Sequence, residues 1–310
     1  SSSTLGREVF ELGADGVVDV SDDARAIEEN YGVTPTLHSK QELPALGMSG
    51  HFHSAITTPV GFGLNPRKYL AGLLKAAETA GVKIFGQSPV SKIDRAQAYS
   101  LKTPQGTLAA EQLIIATNGY SSEDVPAWMA ARYMPAQSSV LVTRELTDTE
   151  IASSWSSDQA AYDSRTLLHY FRLMPNRRFL FGMRGGLMSS KSAETRNKSK
   201  IRADFEAMFP AWAEVETPFY WSGMVCLSTG LTPFAGPIPE MPGAYAGFAY
   251  HGNGVAMGSY TGALLADQVL GARKLQTPKL MLQPPKRFPL GPARRALMYG
   301  IYAGAALKDL

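Results

Sequence analysis

The stretch that most limits what this chain can become is residues 247–271, GFAYHGNGVAMGSYTGALLADQVLG. It opens on apolar and aromatic residues, Phe248 and Tyr250, and turns at Gly252-Asn253-Gly254. From there the pattern is helical. Met257, Tyr260 and Leu264 recur at i, i+3 and i+7 as one apolar stripe, and Gly271 suits the left-handed position that ends a helix. Gly258, Gly262 and Ala266 form a second face almost without side chains, which lets the helix lie close against a sheet or a ligand. The first turn of such a helix exposes N–H groups and a partial positive charge. Glycines there admit a flat or anionic group to the backbone. A strand-turn-helix whose glycines serve only the turn is the plainer alternative.

Size and charge bound the rest. At 310 residues the chain exceeds one average domain, so two intimately joined domains are expected. With 45% hydrophobic and 18% charged residues it belongs with well-cored globular proteins. A net charge of +3 gives no argument for nucleic acid, and the cluster Lys286-Arg287 with Arg294-Arg295 reads as a solvated tail helix. The single cysteine, Cys226, leaves no internal disulfide framework and fits a reducing, cytoplasmic setting. No apolar run reaches the roughly 18 residues of a membrane span, and no signal-peptide pattern opens the sequence. The opening Ser1-Ser2-Ser3-Thr4 lacks an initiator Met and leads into a short apolar-polar run.

Along the chain, Ser21-Asp22-Asp23 reads as a helix start with Gly32 as its stop, and Gln41-Glu42-Leu43-Pro44 as a short helical turn. Residues 50–56 look extended, so His51 and His53 at i, i+2 share a face. They are candidates to line a substrate cavity; with no third ligand at useful spacing, no metal site is expected. Gly61-Phe62-Gly63 is a loop. Asn65-Pro66 is a strong helix start, and Tyr69, Leu70, Leu73, Leu74 and Ala77 give that helix a broad apolar stripe ending at Gly81. Residues 82–85 read as a short apolar strand and residues 89–109 as a small β-meander. Residues 113–115 then run apolar without alternation into Ala116-Thr117-Asn118-Gly119, which suits a parallel strand covered on both faces with a ligand at its carboxyl end. From Met134 the pattern changes to longer antiparallel strands, a hairpin at Pro175-Asn176, and one helix with Ile201, Phe205, Met208 and Phe209 on its inner face. His169, Tyr170, Arg172, Arg184, Tyr220 and Trp221 gather on that sheet, where ordinary cross-strand pairing is the competing explanation. A proline-rich connector, 284–289, precedes a terminal helix over 293–306.

In this order, Asn65-Pro66-Arg67-Lys68-Tyr69-Leu70, Ala80-Gly81-Val82, residues 113–120 (LIIATNGY), residues 181–186 (FGMRGG), Trp221-Ser222-Gly223 and Tyr250-His251-Gly252-Asn253-Gly254-Val255 resemble the D-amino-acid-oxidase-like family of FAD-dependent amine oxidoreductases. The look is nearest the gamma-glutamylputrescine oxidoreductase branch and spans about residues 20–300. The resemblance implies a mixed α/β (α+β) fold of two interleaved domains. A partial FAD-binding α/β domain would take 63–132 and 236–273. A substrate domain built on an antiparallel sheet would take 1–62 and 133–235, leaving 274–310 as a tail and helix. It implies FAD as cofactor, an amine or amino-acid substrate, and hydride transfer from the carbon beside nitrogen to the flavin. Val90 would meet the adenine; Thr117, Asn118 and Gly119 would border the dinucleotide, with Gly223 also on the cofactor side. Gly252, Asn253, Gly254, Val255 and Ala256 would face the flavin ring. His51, His53, Tyr170, Arg184 and Trp221 would line the substrate side, and no residue is assigned as general base.

The sequence departs from the family in three places. Its relatives open with a strand, a GxGxxG turn and a helix, of which Gly61-Phe62-Gly63 is a poor shadow. The chain is therefore expected to be an N-terminally truncated member that binds FAD poorly alone. It would be completed by a missing N-terminal half or act as an oligomer. A cofactor-free remnant or subunit serving as a binding or assembly module is the alternative, and an NAD-dependent dehydrogenase a weaker one. Ala256 stands where the sarcosine-oxidase branch has a carboxylate-holding lysine, which favours an amine read elsewhere. Cys226 lies near that branch's flavin-tethering cysteine but is expected to be a buried structural thiol.

Overall fold

The computed structural model describes residues 8–11 and 20–308, so Ser1–Thr4 lie outside the described residues. By their internal contacts the residues form two units. The first takes 1–64, 137–223 and 300–310; the second takes 65–136 and 224–299.

The chain begins in the first unit with β1 (Glu8–Glu11), α1 (Val20–Tyr31), β2 (Thr36–Ser39) and β3 (Ser54–Thr58). Gly32, at φ 65°, stops α1 as the sequence predicts. The second unit opens with α2 (Pro66–Thr79), whose Asn65 side chain accepts from the Lys68 N–H at 3.0 Å. Next come the antiparallel meander β4 (Lys92–Arg95), β5 (Tyr99–Thr103) and β6 (Gly106–Ala110), and then β7 (Leu113–Ile115). The chain returns to the first unit within β8 (Met134–Val142). It continues through α3 (Asp148–Ser153), β9 (Ala160–Asp163), β10 (His169–Leu173), β11 (Phe179–Arg184), α4 (Lys191–Met208) and β12 (Phe219–Leu227). β13 (Phe234–Pro237), β14 (Ala244–Phe248), α5 (Gly254–Leu270) and α6 (Arg294–Lys308) complete it.

One sheet has the order β12-β8-β11-β10-β9-β1-β3-β2, mostly antiparallel, with β1 parallel to β9. Strand periodicity sends Phe171, Phe179, Phe181 and Met183 to one face. There they meet Ile201, Phe205 and Met208 of α4, followed by Phe209 and Trp212, in a closed aromatic core. Ring centroids such as Phe179–Trp212 at 4.8 Å and Phe179–Phe209 at 4.9 Å stand at steep angles, the arrangement aromatic quadrupoles favour.

In the second unit β14 pairs antiparallel with β13 and parallel with β7. α5 packs on this sheet through Thr261, Leu264 and Leu265. The close approach comes from the strand side. A Cβ at Gly247 would lie 2.6 Å from Thr261 Cγ2 and 3.0 Å from Leu265 Cδ1. The helix glycines Gly258 and Gly262 face open space instead, which removes the sheet from the two alternatives for that face and leaves the ligand.

Two further local expectations fail here. Residues 82–85 form no strand, and Val82, Ile84 and Phe85 are exposed, because no described strand offers them an edge. Among the described residues β7 is paired on one side only, and its Ile114 is 44% exposed, so this strand is not covered on both faces.

Candidate functional site

In the second unit the chain arrives at α5 through backbone that few side chains favour. Ala249 has φ 67°, His251 φ 54° and Gly252 φ 105°. Asn118, itself at φ 45°, holds this approach: its Oδ1 accepts the Ala249 N–H at 3.0 Å. The His251 N–H is taken by the Cys226 carbonyl at 3.1 Å, and His251 Nε2 lies 3.2 Å from Ser228 Oγ. The first intrahelical bond of α5 runs from Met257 N–H to the Asn253 carbonyl at 3.0 Å, and the Asn253 side chain makes no cap. Among the described residues no acceptor takes the N–H of Gly252, Gly254, Val255 or Ala256. These donors carry the positive end of a seventeen-residue helix, and the residues around them are open to solvent.

The neighbouring loop is small, as its sequence implies. Thr117 is exposed with its hydroxyl 2.7 Å from Ser121 Oγ, Gly119 is buried, and Asn118 starts a short 3-10 turn. Val90 is half-buried against the second unit's apolar core. Cys226 sits in that same core, 1% exposed, and burial pushes its thiol up to about 12. Gly223 lies in the middle of β12.

In the first unit Tyr170 and Arg172 of β10, with Gly182 and Arg184 of β11 and Ser138 of β8, occupy the sheet face opposite the aromatic core. Tyr170 lies flat across its cross-strand partner Gly182, where a Cβ would fall 2.1 Å from the ring. Its hydroxyl meets Ser138 Oγ at 2.8 Å. Burial pushes the Tyr170 phenol up, partly offset by the Ser138 bond and the Arg184 charge, so it stays a neutral donor and acceptor. Trp221, on β12, is 49% exposed.

His51 and His53 correct a sequence expectation. They stand before β3, not on it, in a bend where both are exposed and Phe52 between them turns into the aromatic core. Their exposure on either side of a buried Phe52 keeps the i, i+2 alternation, although the strand begins only at Ser54. The structure thus joins Tyr170 with Arg184, and Asn118 with the start of α5, while the two histidines join neither group.

A cluster that sequence reasoning missed lies on the core side. His169 Nδ1 is 2.7 Å from Asp163 Oδ2 and its Nε2 is 3.1 Å from Asp204 Oδ2. Arg165 pairs with Asp163, and Lys200 with Asp204 at 2.6 Å. Burial pushes His169 down, but the bonds to Asp163 and Asp204 and their charges outweigh it, and the net direction is up. The Lys200 and Asp204 spacing of i, i+4 was visible in the sequence; the closure onto β9 and β10 was not. Among the described residues no three His, Cys, Asp or Glu side chains stand in metal-holding geometry. No described helix is long and apolar enough to cross a membrane.

With this geometry the two sheets, the glycine-led α5 and the Asn118 loop define a flavoenzyme-type fold. A family model described as FAD dependent oxidoreductase matches residues 7–268, and the chain belongs to that family, DAO. It is 30% identical over 265 residues to a probable oxidoreductase OrdL of Rhizobium meliloti, covering 84% of this chain and 60% of the relative. It is 24% identical over 223 residues to the gamma-glutamylputrescine oxidoreductase of Escherichia coli, covering 72% of this chain and 51% of that one. The crystal structure of glycine oxidase from Geobacillus kaustophilus superposes with a TM-score of 0.74 over 90% of this chain and 74% of that one, at 18% identity, a likeness of fold. The chain spans between half and three fifths of the length of these two curated relatives, 51% and 60%.

Proposed function

We propose that this chain is the larger part of a cytoplasmic FAD-dependent oxidoreductase that oxidises the C–N bond of an amine or amino acid. The observation that carries the reading is the set of bare N–H groups at the start of α5 beside Asn118. Unpaired donors at a helix start, with open space at Gly258 and Gly262, fit the anionic edge and flat body of a flavin ring. Gly252, Asn253, Gly254, Val255 and Ala256 would hold that ring, and Thr117, Asn118, Gly119 and Val90 the rest of the dinucleotide, with Gly223 also facing it. Among the described residues no glycine-rich turn offers a pyrophosphate cradle. When bound, FAD supplies the two-electron acceptor. The chain's own residues orient the amine: Tyr170 presents a neutral hydroxyl fixed by Ser138, Arg184 supplies positive charge, and Trp221 offers an aromatic surface. His51 and His53 would enter only if their loop lies over the substrate. The second unit is the flavin-binding half in this reading, and the first the substrate half.

The open apolar surface of the second unit supports a further element of this reading. Leu70, Leu73, Val82, Ile84, Phe85 and the edge of β7 that is unpaired among the described residues call for more polypeptide, as a preceding segment or a partner chain. The same surface favours the second reading, a cofactor-free binding or assembly module.

A titration of the purified chain with FAD, followed by flavin fluorescence and by anaerobic bleaching with a panel of amines, tests the first reading. Weak quenching that falls further in Asn118→Ala and Gly254→Val is expected. Quenching that ignores both substitutions would sink the assignment of α5. A stoichiometric yellow protein on first purification would remove the need for a completing segment. A lone, colourless species on gel filtration that no amount of FAD changes favours the module.

A further inference from the structure

We infer that the segment from Gln268 into the first turns of α6 is a lipid-binding ribbon, which seats the chain on an anionic phospholipid surface without crossing it. The inference stands apart from the flavin reading and needs no turnover.

From Gln268 to Tyr299 the sequence holds seven Lys and Arg and no Asp or Glu. The rest of the chain is net acidic, since all 27 acids lie outside this segment while seven of the 30 cations lie inside it. Arg294 is the buried exception and pairs with Glu123. The other six, Arg273, Lys274, Lys279, Lys286, Arg287 and Arg295, are exposed, and none has an ion pair among the described residues. Glu240, which lines a cavity together with Arg287, lies 3.9 Å from Arg132 instead.

Large apolar side chains lie exposed among these cations, Leu280 at 65%, Leu290 at 62% and Tyr299 at 50%. Leu290 is the sharpest case. Its backbone is left-handed at φ 65°, a conformation leucine rarely adopts, and its side chain still stands in solvent. Strain and exposure at one residue call for an apolar partner outside the chain. The backbone beneath is fixed. Met281 and Phe288 are buried, and the Phe288 N–H donates to the Ala131 carbonyl at 2.7 Å. Arg132 donates to the Pro285 carbonyl at 2.9 Å, and Arg294 to the Tyr133 carbonyl at 3.0 Å. Pro278, Pro284, Pro285, Pro289 and Pro292 stiffen the path between these anchors. The outward residues are therefore presented with little ordering left to do on binding.

The charge pattern selects the partner. Protein interfaces are poor in lysine and match both signs of charge, whereas here half of the exposed cations are lysines and acids are absent. Nucleic acid would meet the cations and leave the leucines in water. A lipid surface takes both, with headgroup phosphates at the cations and the acyl boundary at Leu290.

The test floats the full chain with vesicles of phosphatidylglycerol and phosphatidylcholine, and with vesicles of phosphatidylcholine alone. Binding to the anionic vesicles that weakens with salt is expected, and none to the neutral ones. Each cation near such a surface strengthens binding about fivefold, so Lys286→Gln, Arg287→Gln and Arg295→Gln together should weaken it about a hundredfold. Leu290→Cys carrying an environment-sensitive dye reads insertion directly, because Cys226 is 1% exposed and escapes the label. Its emission should shift to the blue on the anionic vesicles alone. That labelled chain decides the matter if the triple variant fails to fold. No flotation, equal flotation with both vesicles, binding indifferent to the triple variant, or a label that stays in water overturns the inference. So does a dimer on gel filtration that Leu290→Ser dissociates, which would assign the ribbon to a second copy of the chain.

Discussion

In the first unit α4 sends Ile201, Phe205 and Met208 into a closed aromatic core, whereas in the second unit α2 buries none of its side chains. Both helices carry a clear apolar stripe and a side-chain N-cap, from Ser190 in α4 and Asn65 in α2. The difference is the neighbour. α4 faces a sheet of eight strands, while α2 presents Leu70 at 67% exposure and Leu73 at 45% to solvent. The hydroxyl pair Tyr69–Ser259 at 2.5 Å ties it to α5. A stripe fixes which face of a helix is apolar; it does not supply the surface that covers it. The same contrast separates the sheets, since β11 is paired on both edges and β7 on one.

The comparison breaks most visibly in the aromatic core. Phe209 is fully buried, stacks with Trp212, tilts against Phe205 and meets Phe171, Phe179 and Phe181 edge to face. Phe209→Ala should destabilise the first unit by about 3–5 kcal/mol through the cavity it leaves. Urea unfolding followed by tryptophan fluorescence checks this, and a loss under about 1 kcal/mol would mean the core is far looser than its ring contacts imply.

His169→Gln should cost about 3 kcal/mol near pH 6, because Asp163 and Asp204 lose the cation buried between them. The sign follows from the direction of each shift. His169 is raised on folding, so its contribution is complete below its ordinary value and is lost as pH climbs through the raised one. Asp204 is lowered, by the His169 and Lys200 bonds that overcome burial, so its share is kept above the ordinary carboxylate value and lost on acidification. The gap between wild type and His169→Gln should therefore shrink above neutrality. A gap that widens with pH would show the pair to be neutral in the folded state.

The smallest effect is expected on α2. Leu70→Gln and Leu73→Gln should change the stability of this chain by under about 0.5 kcal/mol, as substitutions on open surface do. Their value lies in the sharpening they offer. If added polypeptide or a partner raises the melting temperature of the parent chain but not of the double variant, α2 is the covered face. A large cost in the chain alone would mean that α2 is already packed.

Local signals were legible wherever one residue type decides a backbone state. Asn65-Pro66 started α2, and Gly32 and Gly271 stopped their helices at φ 65° and 62°. The ordered motifs also pointed to the family, because glycines and an asparagine at fixed intervals reflect a backbone that must come close to something. Other facts depended on residues far apart in the chain. Gly247 proved to be the point of close approach to α5, and Tyr170 found its bed on Gly182. His169 collected carboxylates six and thirty-five residues away. His51 and His53 fell just outside β3 while Phe52 between them entered the core. Sequence spacing encodes what a segment prefers by itself, through backbone sterics and periodicity. Which preference survives, and whether an apolar face is ever buried, is set by the surfaces that other segments bring to it, and that is a property of the folded chain alone.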